Sequence, residues 1–159
     1  MLKKDVLETI LNKYMEIKQY YSKSLDVTSK ILLLLGEKDV SELSAEFDER
    51  ERNFYKAETN LKQAAELAAQ YARDNSLKKF SFAEINKIDR ESAAKIKSVC
   101  DETTGIIEEI QKADKKLNAY LEKSMNDIKS KITSIAATKN LKKKYGFNNI
   151  NSGLINKNI

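Results

Sequence analysis

A chain of 159 residues with no proline, four glycines and 33% charged side chains suits long helices with solvated backs rather than a compact α/β enzyme. It has no histidine, which excludes histidine acid–base catalysis, Ser-His triads and histidine metal sites, and its single cysteine, Cys100, can form neither an internal disulfide nor a cysteine-rich zinc site. The net charge of +5 is unevenly placed: residues 37–74 carry 6 basic against 10 acidic side chains, net −4, and residues 111–159 carry 11 against 3, net +8.

Apolar side chains recur at alternating steps of three and four, the spacing that lines one face of an α-helix. In the first segment the register is Leu7, Ile10, Tyr14, Ile17, Tyr21, Thr28, Ile31 and Leu35, which predicts a helix from Asp5 to Leu35 ended by Gly36 in a left-handed conformation. Asp39 and Glu42 have the spacing of a capping box, so the second helix is expected to start there. Its register runs Leu43, Phe47, Arg50, Phe54, Ala57, Leu61, Ala64, Ala68 and Tyr71, with an end near Asp74 and Asn75. The short turn makes these two helices antiparallel neighbours.

The third start is marked by Ser81 and Glu84 as a capping-box pair, with Phe80 and Ile85 at the two positions of a hydrophobic staple. From Phe82 the register continues through Ile85, Ile88, Ser92, Ile96, Val99, Thr103, Ile106, Ile110, Ala113, Leu117, Tyr120 and Ser124, and the helical pattern extends to Tyr145. Gly105 is the one position where this helix is expected to kink or to break into two, a mid-helix glycine costing about 1 kcal/mol relative to alanine. The reading is therefore all-α: an antiparallel, coiled-coil-like bundle of three long helices, or four if Gly105 breaks, forming one elongated domain over residues 1–145. The Asn-rich segment 146–159 has no helical period and reads as a disordered tail, although Phe147, Ile150, Leu154, Ile155 and Ile159 give it enough apolar surface to dock.

No chemistry-bearing motif emerges. Glycine-rich phosphate loops are absent, Cys100 lies beside Asp101 and Glu102 where its thiolate is disfavoured, and Glu46, Asp48, Glu49 and Glu51 interleave with Arg50 and Arg52 as an ion-paired surface. An enzyme is not expected, and no cofactor or metal is implied. The longest apolar run, Ile31 to Leu35, is far too short to span a membrane, and no signal-like stretch opens the sequence, so a cytoplasmic location without membrane insertion is expected.

The surfaces carry more apolar material than a bundle needs. Ile31 to Leu35 covers more than one side of its helix, and Tyr20 and Tyr21 fall on two faces. Ile128, Ile132, Ile135 and Ala136 continue the apolar stripe beyond the reach of the shorter helices, as a groove for a foreign helix or for a second copy of the chain. Nucleic acid is a weaker expectation, because 25 lysines against 4 arginines lack the planar fork that reads phosphate and base edges.

Two stretches resemble flagellar export chaperones of the FlgN/FliT type: Leu43 followed by Asp48-Glu49-Arg50-Glu51-Arg52 and Phe54, and the lysine-rich close with Ile128, Ile132, Ile135, Lys139, Leu141 to Lys144, Tyr145 and Gly146. The resemblance implies a cytoplasmic chaperone that holds the amphipathic terminal helices of a hook-associated or filament-cap protein and delivers them to the export gate or its ATPase complex. It places the cargo face on Ile128, Ile132, Ile135 and Leu141, and the export-apparatus contact on Lys142, Lys143, Lys144 and Tyr145. The competing expectations are a homo-oligomeric helical adaptor or structural coiled coil, and a basic helical nucleic-acid binder.

Overall fold

The computed structural model describes the chain from Lys3 to Tyr145, with the side chains of Asp5 to Leu141 and of Lys143. It is all-α over those residues: α1 (Lys3–Glu37), α2 (Leu43–Asp74), a single-turn α3 (Phe82–Asn86) and α4 (Arg90–Tyr145). The expected tail lies outside the described residues. The chain divides into two units at Leu117 and Asn118.

The first unit is the bundle. Leu7 and Ile10 of α1, Ala68 and Tyr71 of α2, Ile85 of α3, and Ala93 and Ile96 of α4 form its buried core, with Tyr14, Phe80 and Cys100 packed partly against it. Each fully buried leucine or isoleucine contributes about 1.5–3 kcal/mol relative to an exposed one. Lys13 of α1 donates to Asn60 of α2 at 2.9 Å and Lys30 pairs with Glu46, so α2 runs back along α1. Lys18 of α1 pairs with Glu102 of α4 at 2.7 Å, and Arg50, which reaches Thr28 of α1, also binds Asp114 of α4. Residue numbers in α1 and α4 rise together, so these two helices are parallel.

The core carries a polar layer, of which the helical register places Thr28 and Arg50. Ser24, Thr28 and Asn53 are buried. Thr28 donates to the Ser24 carbonyl at 2.7 Å and accepts from Arg50 Nε at 2.8 Å, while Asn53 donates to the Glu49 carbonyl at 3.0 Å. The guanidinium of Arg50 also lies 4.7 Å from the Phe54 ring centroid.

The helix ends differ from expectation in four places. The left-handed residue after α1 is Lys38, at φ 58°, and not Gly36; Asp39 N–H reaches back to the Leu34 carbonyl at 3.0 Å, closing the helix two residues later than the glycine suggested. Asp39 does not open α2: its carboxylate accepts from the Ser41 N–H at 3.0 Å and the Ser41 hydroxyl at 2.6 Å, so the helix starts at Leu43 and its cap position, Glu42, makes no side-chain cap bond. The third helix is interrupted after Asn86 and not at Gly105. There Asp89 accepts from the Ser92 N–H at 3.0 Å and the Ser92 hydroxyl at 2.8 Å, starting a new helix, while Gly105 lies within α4 in open space. Two apolar register positions are exposed: Ile88 in the interruption, and Leu61, beside Asn60, which turns to α1 instead. The expected cap at Ser81 is present, accepting from Glu84 N–H at 3.4 Å, and α2 ends at Asp74 as read.

Candidate partner-binding helix face

Within α4, Leu117 is the last buried residue among those described. Past it, among the described residues, Tyr120 and Ser124 are half-buried and a line of apolar side chains stands exposed. Leu121, Met125, Ile128, Ile132 and Ile135 are exposed at 39, 58, 57, 61 and 57%. At about 100° per residue they fall within an arc of about 80° along about 21 Å of helix. A stripe this narrow, in steps of four and three, has the form of a coiled-coil seam.

Of the residues expected to form the face, Ile128, Ile132 and Ile135 lie together on it. Leu141 does not. It is exposed at 54%, but it lies about 180° around the helix from Ile132, because six residues from Ile135 is not a step of the three-four rhythm. Lys139, four residues past Ile135, is the residue that continues the line. Leu121 and Met125 lie outside the sequence register, which past Leu117 runs through Tyr120 and Ser124; those two are half-buried, whereas Leu121 and Met125, one position on from each, are exposed. Lys143 is exposed, and the side chains of Lys142, Lys144 and Tyr145 lie outside the description.

The charge on this segment is one-sided. From Ile128 to Ile159 there is no acidic residue, and six lysines lie between Ile128 and Tyr145. In the bundle, by contrast, lysines pair with carboxylates along and between helices, as at Lys18 with Glu102 and Lys95 with Glu91.

The bundle offers two lesser surfaces. Leu33 and Val40 are exposed near the α1–α2 turn, which bears out an apolar excess in the run from Ile31 to Leu35, of which Ile31 and Leu34 are buried. A shallow groove of about 470 Å³ is floored by Ala65, Ala68, Ala69 and Ala72 and bordered by Tyr14, Phe80, Lys78 and Lys79. Neither brings together groups that would activate one another. Burial, with Asp101 adding to it, pushes the Cys100 thiol up, so the one cysteine is held as a neutral thiol, and burial likewise raises the Tyr14 and Tyr71 hydroxyls. Among the described residues, no helix is long and apolar enough to cross a membrane. No protein-family model, curated protein or solved structure matches this chain.

Proposed function

We propose that the chain is a helix-holding chaperone that covers an amphipathic helix of a partner protein along the α4 face from Leu121 to Ile135. The observation that carries this reading is a seam of apolar side chains, regular over two heptads and exposed throughout. Apolar surface in that arrangement has a match in the apolar face of another helix. A bundle tied at several levels by ion pairs and hydrogen bonds is a suitable base for presenting it.

The resemblance at residues 43–54 and 128–146 narrows the partner to a late flagellar substrate, a hook-associated or filament-cap protein held in the cytoplasm before export. Such a protein assembles through its terminal helices, and covering them prevents assembly in the wrong compartment. On this reading the lysines from Lys142 to Lys144, with Tyr145, are the candidates for a second contact, with the export gate or its ATPase complex.

The test is a calorimetric titration of the purified full chain with terminal helical segments of hook-associated and filament-cap proteins. A 1:1 complex is expected with one of them. Ile132→Asp should abolish it while leaving the melting temperature of the protein within about 2 °C, since an exposed substitution changes stability by less than about 0.5 kcal/mol. A wild-type chain that binds none of these segments and sediments as a dimer, with Ile132→Asp monomeric, would sink the reading.

A further inference from the structure

We infer that the occupant of the α4 face is an acidic amphipathic helix whose register is fixed by a carboxylate set against Lys139. This rests on the helix-holding reading and adds the charge and alignment of the partner.

The apolar stripe ends in a cation. Lys139 falls within the arc spanned by Leu121 and Ile135, about 6 Å along the axis beyond Ile135. It therefore occupies the seam position where the next apolar residue would stand. A lysine in a helical seam destabilises pairing unless a carboxylate answers it, and a single such position is sufficient to select register and partner. The lysines flanking the stripe, exposed Lys129 and Lys131, extend the same demand along its edges, and the segment past Asp127 has no acid of its own to satisfy them.

A second copy of the chain does not meet that demand. A parallel pair in register sets Lys139 against Lys139. An antiparallel pair centred on Ile128 stacks Leu121 on Ile135 and brings Asp127 to the flank that carries Lys131, but it sets Lys139 opposite position 117, where Leu117 is already buried. An anionic bilayer would also meet the lysines, and vesicle binding is therefore a separate arm of the test. The complementary occupant is a helix with apolar residues at five positions spaced 4, 3, 4 and 3, acidic flanks, and an aspartate or glutamate one turn past the layer that meets Ile135.

Two synthetic helical peptides test this. Both carry leucine at those five positions and glutamate on the flanks, and they differ only at the seam position facing Lys139, glutamate in one and lysine in the other. Binding to the full chain is read by fluorescence anisotropy, with dimerisation followed by light scattering and vesicles of anionic phospholipid as a third arm. Wild type is expected to prefer the glutamate peptide by about tenfold, and Lys139→Glu to reverse that preference, as a coupled pair does in a double-mutant cycle. Equal binding of the two peptides by wild type, with binding lost in Ile132→Asp, would overturn the register and leave helix-holding standing. Failure of both peptides, with a wild-type dimer or with vesicle binding instead, would overturn both.

Discussion

Arg50 Nε donates to the Thr28 hydroxyl at 2.8 Å, inside the bundle, and the other arm of the same guanidinium binds Asp114 on α4. One side chain thus ties all three long helices at one level. Thr28 is fully buried, Arg50 is mostly so, and the Asp114 side chain is 38% exposed. Removing the guanidinium takes the donor away from a buried hydroxyl, which keeps its own bond to the Ser24 carbonyl, and leaves on the other side a carboxylate that water still reaches. Arg50→Ala should therefore cost about 1–3 kcal/mol, below the cost of breaking a fully buried pair. Asp114→Asn should cost less, because it keeps an acceptor for Arg50. Urea denaturation of the two variants measures the order.

Two turns place a side chain where glycine is the natural choice. Lys38 at φ 58° and Ser76 at φ 53° occupy the left-handed position after α1 and α2, each followed by a residue whose N–H closes the last turn, Asp39 to Leu34 and Leu77 to Ala72. The left-handed conformation costs an L residue roughly 1–2 kcal/mol, part of which is returned to the unfolded chain when glycine replaces it. Lys38→Gly and Ser76→Gly should each stabilise the bundle by about 0.5–1 kcal/mol and raise its melting temperature by a few degrees. Gly36→Ala, at a helical position in open space, should also be tolerated or stabilising. Thermal denaturation followed by circular dichroism distinguishes these outcomes.

The two limbs of the pH–stability profile have different origins. A hydrogen bond from Lys18, supported by Ser98, holds the Glu102 carboxyl below the usual carboxylate range. Its folded form thus favours ionisation, and its contribution is present above the unfolded value and is lost as pH falls through the folded one. Cys100 and Tyr14 behave in the opposite sense. Burial, then a neighbouring charge, raises both, so their contribution is present below the unfolded values and is lost as pH rises through the folded ones. Stability should decline below about pH 4 and above about pH 8.5, the unperturbed carboxylate and thiol values. Glu102→Gln should flatten the first limb and Cys100→Ser the start of the second. Cys100 should also alkylate more slowly than a free thiol at pH 8, which a timed thiol assay reads directly.

What the sequence made legible divides by physical type. Long helices and their faces follow from a periodicity that tertiary context does not override, so Leu7, Ile10, Ala64, Tyr71, Ile96 and Leu117 are buried as read. Boundaries depend on single side-chain bonds, and these compete. Asp39 and Glu42 have capping-box spacing, yet the Asp39 carboxylate is taken by Ser41 two residues on. Ile88 keeps the register in phase between Ile85 and Ser92, which masked the interruption there; the sign of it was Asp89 three residues before Ser92, a cap with the same spacing as Ser81 and Glu84. Ser24 and Asn53 stand at three- and four-residue steps between register positions, Tyr21 and Thr28 for one and Arg50 and Ala57 for the other, but their polar character hides their burial from an apolar pattern. On the candidate face, Ile128, Ile132 and Ile135 share one line by their spacing, Leu121 and Met125 are exposed one position on from the half-buried register residues Tyr120 and Ser124, and Leu141 matches the face in composition but not in angle.

Among the described residues, full burial in α4 ends at Leu117, with Tyr120 and Ser124 half-buried beyond it, while the helix itself continues to Tyr145. Helical hydrogen bonds alone hold a segment only marginally in water, and most of the stability of a helix in a protein comes from the face it packs. One uninterrupted helix therefore contains two thermodynamic regimes. Up to Leu117 its amides exchange with deuterium only when the cooperative core opens; past Asn118 they exchange through local fraying that leaves the core closed. Whatever settles on the seam from Leu121 to Ile135 must supply the ordering that the bundle does not, and its arrival would be recorded as protection spreading down α4 from a boundary that the free chain already contains.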